Sequence, residues 1–389
     1  MYIERAISRK LRALASKFPV VFLTGPRQSG KSTLLRRVFS GHEYVNLEEA
    51  DTRRFAQEDP RGFLGAYGDH AVIDEAQRAP ALFSYIQTRV DEKDKGGMYI
   101  LSGSQNFLMM RNISQSLAGR VGILTLLPLS LAELPARRKK SLSADRWMHM
   151  GAYPRLFSSD IEPADYYPSY ISAYVERDVR QETGVHDLAR FRAFLRVCAA
   201  RTGEPVNFTD IGKEISADAR TVASWISVLE ESYITFRLQP WYRNLGKRQT
   251  RTPKLYFHDT GLLCSLLGMD DEDSLHMHDM RGHIFENAVI SELAKVWHNS
   301  GKVPPFYFWR AGGDREIDLI IERSDALELV EIKSGETAIP KHVRNIRAFA
   351  TDYVTARTEG RVVYDGPDGL RVGGVPFANW RSLWGSARK

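Results

Sequence analysis

A phosphate-binding loop is predicted near the start of the chain. Gly25, Gly30, Lys31 and Ser32 stand at the spacing G-x-x-x-x-G-K-[S/T]. At this spacing the backbone N–H groups of the loop surround a β-phosphate, the lysine neutralises β/γ charge, and the serine hydroxyl is a ligand of Mg²⁺. A chance match in a glycine-containing turn is disfavoured, because a strand precedes the loop and a helix follows it. The predicted contacts to ATP are Gly25, Pro26, Arg27, Gln28, Ser29, Gly30, Lys31, Ser32 and Thr33.

A second strand supplies the acids that such a loop requires. Asp74 and Glu75 follow the apolar residues Ala71–Ile73. We expect Asp74 to hold Mg²⁺ through water, together with Ser32, and Glu75 to polarise the attacking water. Lys31, Asp74 and Glu75 are therefore the predicted catalytic residues of an ATP-hydrolysing site. Without the phosphate-binding loop, an Asp-Glu pair after an apolar run would not indicate such a site.

Polar and basic residues farther along predict how the site senses the γ-phosphate. Ser102, Ser104 and Asn106 end the next strand, where a sensor is expected, although a simple polar turn is the alternative. Arg111 and Arg120 are candidates for an arginine finger. A finger acts best across a subunit boundary, which implies assembly, but a structural salt bridge explains either arginine equally well.

A second group of acids lies near the end of the chain. The runs Ile317–Glu322 and Leu327–Ile332 predict antiparallel strands joined by a turn centred on Ser324 and Asp325. This register places Asp318 opposite Glu331. Residues two apart on a strand share a face, so Glu331 and Lys333 point the same way as Asp318. A turn longer by one residue would separate the two acids.

Two facing carboxylates repel each other unless a cation or a proton lies between them. A Mg²⁺ held by Glu286, Asp318 and Glu331 would remove the repulsion and activate water for phosphodiester cleavage, with Lys333 stabilising the developing charge. The candidate nuclease residues are therefore Glu286, Asp318, Glu331 and Lys333. The alternative is a module that keeps its acids and only binds DNA.

A winged helix is predicted between these two sites. Two helices, Thr209–Glu214 and Asp218–Glu231, are followed by a hairpin of Tyr233–Leu238 and Lys254–His258. No acid lies between Ile234 and Phe257. Cations that meet phosphates are what a nucleic-acid wing needs, although solvated charges around an interdomain contact are the alternative. The predicted DNA contacts are Arg220, Arg237, Arg243, Lys247, Arg248, Arg251 and Lys254.

The first site requires a parallel sheet to position it. Apolar strands are predicted at Pro19–Thr24, Tyr44–Leu47, Ala71–Ile73 and Met98–Ser102, with helical segments between them. Strands that alternate with helices form a parallel sheet covered on both faces. The fold class is therefore α/β.

Length and composition limit the remaining choices. The chain has 389 residues, 43% of them hydrophobic and 26% charged, which predicts a soluble protein of two or three domains. The formal charge of +6 weakly favours an anionic partner. The two cysteines have no metal-ligand spacing, and neither a transmembrane run nor the apolar core of a signal peptide is found. We therefore expect a cytoplasmic protein without a membrane partner.

The order of the motifs resembles a broad bacterial and archaeal family of AAA+-type ATPases whose C-terminal domain is of unknown function. The resemblance covers essentially the whole chain and rests on G-P-R-Q-S-G-K-S-T, V-I-D-E-A-Q, L-S-G-S-Q-N, S-L-A-G-R-V, L-P-L-S-L-A-E-L, G-A-Y-P-R and Y-V-E-R-D-V. It implies a P-loop ASCE/AAA+-like core at 1–135, a helical segment with a winged helix at 136–268, and a restriction-endonuclease-like PD-(D/E)xK domain at 269–389. In that last fold, Glu286 matches the usual upstream acid.

Three functions follow from this reading. The favoured one is an oligomeric DNA motor or remodeller that acts on duplex or branched DNA, assembles as a ring with a hexamer as one candidate, and uses ATP and Mg²⁺. The second is an ATP-gated, metal-dependent nuclease of a defence type. The third is a nucleotide-dependent switch that binds protein partners. Fold alone does not choose among them.

Overall fold

A five-stranded parallel sheet forms the N-terminal part of the protein. The computed structural model describes residues 2–93, 95–104, 116–176, 187–242, 252–312, 315–353 and 357–383. The strands of this sheet are β1 (Val20–Thr24), β2 (Glu43–Asn46), β3 (Ala71–Asp74), β4 (Tyr99–Ser102) and β5 (Val121–Thr125). They lie in the order β2-β3-β4-β1-β5, and the neighbouring strands pair in parallel. The α/β class and the parallel sheet predicted from the sequence are confirmed.

Helices cover both faces of this sheet because its strands are apolar on both sides. On β1, Val20 and Phe22 join one buried cluster, whereas Val21 and Leu23 join another on the opposite face. In the sequence, strands that are buried on both faces appear as continuous apolar runs. The helices of this part are α1 (Ser8–Ala15), α2 (Lys31–Val38), α3 (Ala50–Glu58), α4 (Pro60–Tyr67) and α5 (Leu82–Lys93).

The strand order decides which residues meet at the carboxyl edge of the sheet. Because β4 lies between β1 and β3, its last residue, Ser102, sits between the loop that follows β1 and Asp74 at the end of β3. Ligands of open α/β sheets bind at this edge, beyond the carboxyl ends of the strands.

The middle of the chain is helical. Its helices are α6 (Ala136–Ser141), α7 (Ala144–Met150), α8 (Pro154–Ser158), α9 (Pro163–Tyr170), α10 (Leu188–Ala200), α11 (Phe208–Glu214), α12 (Ala219–Glu231), α13 (Thr260–Leu266) and α14 (Glu272–Met277). A π-helical turn, Ile171–Val175, continues α9. The Asn207 and Asp218 side chains accept backbone N–H groups at the starts of α11 and α12, which stabilises the predicted pair of helices. Within the described ranges, no helix is both long enough and apolar enough to cross a membrane.

An eight-stranded mixed sheet forms the C-terminal part, in the order β12-β13-β11-β10-β9-β8-β6-β7. Its strands are β6 (Thr235–Pro240), β7 (Lys254–Phe257), β8 (Phe306–Ala311), β9 (Arg315–Glu322), β10 (Leu327–Lys333), β11 (Thr358–Tyr364), β12 (Arg371–Val372) and β13 (Val375–Asn379). Helices α15 (Arg281–Asn299) and α16 (Arg344–Asp352) pack against it.

The predicted wing hairpin is present, but it belongs to this second sheet. Strands β6 and β7 pair antiparallel, as expected. In addition, β6 pairs in parallel with β8, where Gln239 and Pro240 lie beside Tyr307 and Phe308. The sequence did not indicate this pairing. The hairpin is therefore the edge of the C-terminal sheet, which changes the environment of the side chains it carries.

Candidate functional site

The phosphate-binding loop closes around the side chain of its own lysine. Lys31 Nζ donates to the carbonyls of Gly25, at 3.0 Å, and Pro26, at 2.8 Å. Gly30 is the N-cap residue of α2 and has a φ of +92°. A Cβ at position 25 would collide with the carbonyl of Leu126, so this glycine is required by the close approach of the two backbones. The buried ammonium is thus held inside the loop that would receive the phosphates.

The donors of this loop fit a polyphosphate. Ser29 is buried, and no described residue forms a hydrogen bond with its Oγ. Buried hydroxyls are normally paired, so this Oγ indicates a missing ligand. Ser32 lies in the first turn of α2, where a helix N-terminus and its backbone N–H groups favour anions. Gly25–Thr33, the residues predicted to contact ATP, therefore form one contiguous site.

The Asp74 carboxylate is fixed from three directions. The Ser102 hydroxyl and the Glu75 N–H (3.1 Å) donate to its Oδ1, and the Tyr44 hydroxyl donates to its Oδ2 at 2.5 Å. Burial, followed by the hydrogen bond to Asp74, raises the pKa of Tyr44 to about 12, so its hydroxyl stays a donor at neutral pH. Asp74 is therefore held in one orientation beside the loop.

Glu75 adopts a strained conformation at the edge of the site. Its φ is +55°, in the left-handed region that side chains other than glycine rarely occupy. Gln77 Nε2 donates to Glu75 Oε2 at 2.6 Å and orients the carboxylate. Strain of this kind collects at functional positions, where the surroundings compensate for its cost.

The candidate γ-phosphate sensors and the candidate arginine fingers differ in their surroundings. Ser102 contacts Asp74, and the Ser104 hydroxyl is buried without a hydrogen bond from the described residues. Asn106 and Arg111 lie outside the described residues. Arg120 precedes β5 at the opposite end of the sheet and forms an ion pair with Asp91, with Nη2 2.9 Å from Oδ2. It does not face the phosphate loop of its own chain, and a role in another subunit stays a prediction.

Arg5 is a residue of this site that the sequence did not indicate. It is 4% exposed, and its guanidinium donates to the carbonyls of Ser29, at 2.7 Å, and Leu127, at 2.6 Å. Its Nε lies 2.9 Å from Glu133 Oε1. Arg5 therefore connects the N-terminal segment to the phosphate loop and to the segment that follows β5.

Tyrosines from the middle of the chain contact the same loop. Gln28 Nε2 donates to the Tyr174 hydroxyl at 2.8 Å, and the Tyr166 hydroxyl donates to Gln28 Oε1 at 2.9 Å. The Tyr170 hydroxyl donates to the Arg27 carbonyl at 3.4 Å. The spacing of four residues between these tyrosines is the sequence signal, because it places them on one helix face.

The C-terminal strands have the predicted register. Val330 pairs with Leu319 and Leu327 with Glu322, so Asp318 and Glu331 are neighbours. Lys333 Nζ lies 3.1 Å from Asp318 Oδ2 and 2.9 Å from Glu331 Oε2. Burial and then the Asp318 carboxylate raise the pKa of Glu331 well above its usual value. Burial alone would raise the pKa of Asp318, but the positive charges of Lys333 and Lys254 lower it below its usual value.

Lys254 requires a correction. We predicted a DNA contact, but its side chain is 3% exposed. Its Nζ is paired with Glu316 and lies 3.4 Å from Glu286 Oε1. The Tyr256 hydroxyl, two residues along the same strand, also donates to Glu286. The reason is that β7 belongs to the C-terminal sheet, which turns this face of the hairpin toward α15.

The predicted second metal site is not formed. Among the described residues, no group of three or more His, Cys, Asp and Glu side chains is arranged to hold a metal ion. Glu286 is engaged by Tyr256 and Lys254, whereas Asp318 and Glu331 are engaged by Lys333. The lysines supply the positive charge that we had assigned to Mg²⁺, so the residues do not fit the metal in this arrangement.

Of the remaining predicted DNA contacts, one is engaged in an ion pair within the protein. Arg237 forms two hydrogen bonds of 2.7 Å with Glu230 on α12. Trp241, an aromatic residue of the same basic stretch, packs in the core against Phe349 and Tyr353. Arg220 is exposed at the start of α12. Arg243, Lys247, Arg248 and Arg251 lie outside the described residues.

Three family models match consecutive parts of the chain. Residues 17–135 match an AAA domain. Residues 142–273 and 281–383 match two domains of unknown function, DUF8612 and DUF4143. The AAA match contains the phosphate loop, Asp74 and Glu75.

Two mycobacterial proteins are similar over almost the full length. They are the uncharacterized protein Rv2008c of Mycobacterium tuberculosis and the uncharacterized protein Mb2031c of Mycobacterium bovis. Each is 33% identical over 372 residues, which is 94% of this chain and 81% of the relative.

Similar solved structures include the Walker-type ATPase PABY2304 of Pyrococcus abyssi, which is 15% identical. The match covers 67% of this chain and 94% of that one, with a TM-score of 0.42. AMPPCP-bound DnaA from Aquifex aeolicus is 14% identical over 58% of this chain and 86% of its own, with a TM-score of 0.30. Because both TM-scores lie below 0.5, neither likeness establishes a shared fold.

Proposed function

We propose that this protein is a DNA-remodelling ATPase that uses Mg²⁺. The premise is that the chain belongs to the family of AAA-domain proteins that includes these mycobacterial relatives. The observation that carries the ATPase part is the Asp74 carboxylate, which Ser102 and Tyr44 orient beside a loop already closed around Lys31. Mg²⁺ would be held by Ser32 and Asp74, and when bound it neutralises charge on the phosphate oxygens.

The residues of the chain divide the work of hydrolysis. Lys31 exchanges the carbonyls of Gly25 and Pro26 for phosphate oxygens, because an ammonium gains more from charged acceptors than from carbonyls. Glu75, oriented by Gln77, accepts a proton from the attacking water. Ser102, whose hydroxyl donates to Asp74 at the carboxyl edge of the sheet, is the residue we assign to sensing whether the γ-phosphate is present.

The link to DNA runs through the middle of the chain. Gln28 of the phosphate loop is bonded to Tyr166 and Tyr174, so a change at the phosphates reaches the helical segment. That segment carries the α11–α12 helix pair, with Arg220 exposed at the start of α12. Helix pairs of this kind bind nucleic acid through the second helix. We infer an oligomer, with a ring as the proposed form, that acts on duplex or branched DNA.

A second candidate is a nucleotide-dependent switch that binds protein partners. The favouring observation is that Arg237 and Lys254 are committed to internal ion pairs and Trp241 to the core. These three side chains are therefore not available to contact DNA. The arrangement of lysines among the C-terminal acids also argues against metal-dependent DNA cleavage, so a nuclease is not preferred.

One experiment separates these functions. The rate of ATP hydrolysis is measured with duplex, single-stranded, forked and four-way DNA, and Glu75→Gln serves as a control that should bind ATP without turnover. A remodeller should be stimulated several-fold by at least one DNA form. Slow hydrolysis that no DNA changes, with a molecular mass that follows the nucleotide state, would select the switch. Wild-type protein that does not hydrolyse ATP would overturn both.

A further inference from the structure

A cavity of about 320 Å³ lies between β6 and the segment that leads into β8. Within the described parts of both strands, pairing is confined to the end of β6. If the pairing continued to the start of β6, Val303 would lie beside Thr235, but Val303 is 83% exposed and both residues line the cavity. Pro304 and Pro305 follow Val303 and have no N–H group to donate to a neighbouring strand. The sequence therefore leaves a gap along this edge of β6.

The backbone of Thr235 faces this gap. In an antiparallel pair, alternate residues direct their N–H and C=O groups toward the partner strand, and the residues between them direct theirs away. The His258 N–H donates to the Ile234 carbonyl at 3.0 Å, so the next pair, Thr235 and Phe257, is turned outward. The edge of β6 thus offers a hydrogen-bond donor and an acceptor side by side.

Two buried polar side chains of the cavity wall have no hydrogen-bond partner in the described part of the chain. They are Thr235, through Oγ1, and His258, through Nδ1, and the residues are 1% and 7% exposed. Buried polar atoms are normally paired, so these two indicate a ligand. A hydroxyl and a neutral imidazole can each donate or accept a hydrogen bond. Together with the backbone of Thr235, they form a polar edge along one side of the cavity.

The charges in the cavity wall compensate one another. Burial lowers the pKa of His258 to about 3 and that of His298 to about 4, so both rings are neutral at pH 7. Glu230 and Arg237 form two hydrogen bonds of 2.7 Å with each other. The apolar part of the wall includes Phe236, Leu238, Ala294 and Phe306. A charged ligand would lose its hydration here without gaining a counter-ion, whereas an uncharged ring would not meet this cost.

We propose that this gap binds a small, uncharged heterocycle with an amide edge, of the class that includes nucleobases and nicotinamide. The carbonyl and N–H of such an edge match the donor and acceptor of the Thr235 backbone, and the ring would contact the apolar wall. A volume of about 320 Å³ is at the lower end of the range of ligand pockets, so the ligand is small. It would contact α12, the β6–β7 hairpin and α15 together. The described lining contains no residue of Gly25–Thr33, so this site is distinct from the one proposed for ATP.

The test is the binding of five uncharged heterocycles to the full chain. Uracil, cytosine, adenine, hypoxanthine and nicotinamide are titrated by ligand-observed NMR, while ADP and Mg²⁺ saturate the phosphate loop so that it takes up no free base. We expect at least one of them to bind wild type with a Kd below about 1 mM, which a ligand of about nine non-hydrogen atoms can reach. Nicotinate and orotate, comparable rings with a carboxylate, should bind about tenfold more weakly than the tightest neutral ring, or less.

Two variants locate the site. Thr235→Val keeps the shape of the side chain and removes its hydroxyl, so it should weaken binding of the tightest ring by about three- to tenfold, the effect of one hydrogen bond. Val303→Trp introduces a large side chain at an exposed residue of the cavity wall and should weaken binding at least as much. Thr88→Val, the same substitution at an exposed threonine of α5, should leave the Kd unchanged.

Three results would overturn the proposal. The first is that none of the five rings binds wild type below about 1 mM, which would mean that the gap holds only water. The second is equal binding to wild type, Thr235→Val and Val303→Trp, which would place the ring elsewhere. The third is binding of the two anions as tightly as the neutral rings. If Thr235→Val fails to fold, Val303→Trp decides the location alone, because its substitution is at the surface.

Discussion

The Tyr44 hydroxyl donates a 2.5 Å hydrogen bond to Oδ2 of Asp74. The guanidinium of Arg36, on the helix that begins at Lys31, lies 3.8 Å from the centre of the Tyr44 ring. A cation over a tyrosine ring is attracted by its π-electrons and holds the ring in place. Tyr44 therefore connects the phosphate-loop helix to the carboxylate at the end of β3, and we interpret it as a positioning residue of the ATPase site.

Tyr44→Phe should lower kcat for ATP hydrolysis by about tenfold. A hydrogen bond to a charged acceptor is worth about 1.5–3 kcal/mol, and each 1.4 kcal/mol in an activation barrier is a factor of ten. Without the donor, Asp74 keeps only the hydrogen bonds from the Ser102 hydroxyl and the Glu75 N–H, both to Oδ1, and its Oδ2 is no longer fixed. The measurement is a steady-state comparison of kcat and KM for Mg–ATP in wild type and variant.

Tyr85→Phe is the matched control, because Tyr85 is an exposed tyrosine on α5. It should leave both constants unchanged. If Tyr44→Phe lowered the free energy of unfolding but not kcat, Tyr44 would be a structural residue without a positioning role.

Arg5→Met should destabilise the protein by about 3–5 kcal/mol, the usual cost of removing one partner from a buried ion pair. The substitution leaves Glu133, whose pKa Arg5 helps to lower against the effect of burial, without its counter-charge. It also leaves the carbonyls of Ser29 and Leu127 without a donor. Denaturant unfolding of the nucleotide-free protein measures the change.

Two further variants show whether the ion pair is the cause. Arg9→Met removes an exposed arginine from the neighbouring helix and should change the free energy of unfolding by less than about 0.5 kcal/mol. Arg5→Met combined with Glu133→Gln should recover part of the loss, because no buried charge is then left alone. Equal destabilisation by Arg5→Met and Arg9→Met would contradict the interpretation.

The parts of the site that the sequence predicted depend on short-range geometry. Gly25–Thr33 is one loop, and the pairing of Asp318 with Glu331 follows from the length of one turn. Each arrangement is fixed within about twenty residues, so the spacing of residue types carries the information.

The parts that the sequence did not predict depend on contacts between distant segments. Arg5 meets Glu133 across 128 residues of chain. Lys254 reads as a surface cation in a basic stretch, and it is buried because Gln239 and Pro240 pair with Tyr307 and Phe308. Nothing in the local pattern of β6 distinguishes a free wing from a strand with a partner on its outer edge. Only the pairing of β6 with β8 decides which residues the side chains of the hairpin contact.

Glu292 makes the stability of the protein depend on pH. Burial raises its pKa to about 7 from the usual 4.5, although Lys295, whose Nζ lies 3.8 Å from Glu292 Oε2, acts against this rise. Its Oε1 accepts from the Leu131 N–H at 2.7 Å. Between pH 4.5 and 7 the folded state therefore binds more protons than the unfolded state. Its contribution to stability is present at low pH and is lost as the pH rises through 7, by about 3 kcal/mol in total.

Glu292→Gln removes this dependence and keeps an acceptor for Leu131. The free energy of unfolding of the variant minus that of wild type should rise from pH 4.5 to 7 and stay constant above pH 7. His258 and His298 act in the opposite direction, because burial lowers their pKa values to about 3 and about 4, but they are the same in both proteins and cancel. Parallel stability curves would show that Glu292 is ionised in the folded protein.

Gln28→Met should uncouple the phosphate loop from the helical segment. Binding of a non-hydrolysable ATP analogue is expected to slow amide exchange in Pro163–Tyr170 and Ile171–Val175 of wild type, because Gln28 bonds to Tyr166 and Tyr174 there. Two hydrogen bonds of about 1 kcal/mol each correspond to roughly tenfold in exchange rate or more. The variant should lose this difference but keep the analogue-dependent protection of its own phosphate loop.

Gln57→Met is the matched control for that variant, since Gln57 is exposed and donates to the Arg78 carbonyl at 2.7 Å, away from the tyrosines. It should retain the wild-type response. Hydrogen exchange with mass spectrometry, with and without the analogue, compares the three proteins. If Gln28→Met and wild type were protected equally in α9, the signal would have to leave the site by another contact. Arg5 would then be the next residue to test, because it also joins the loop to a distant segment.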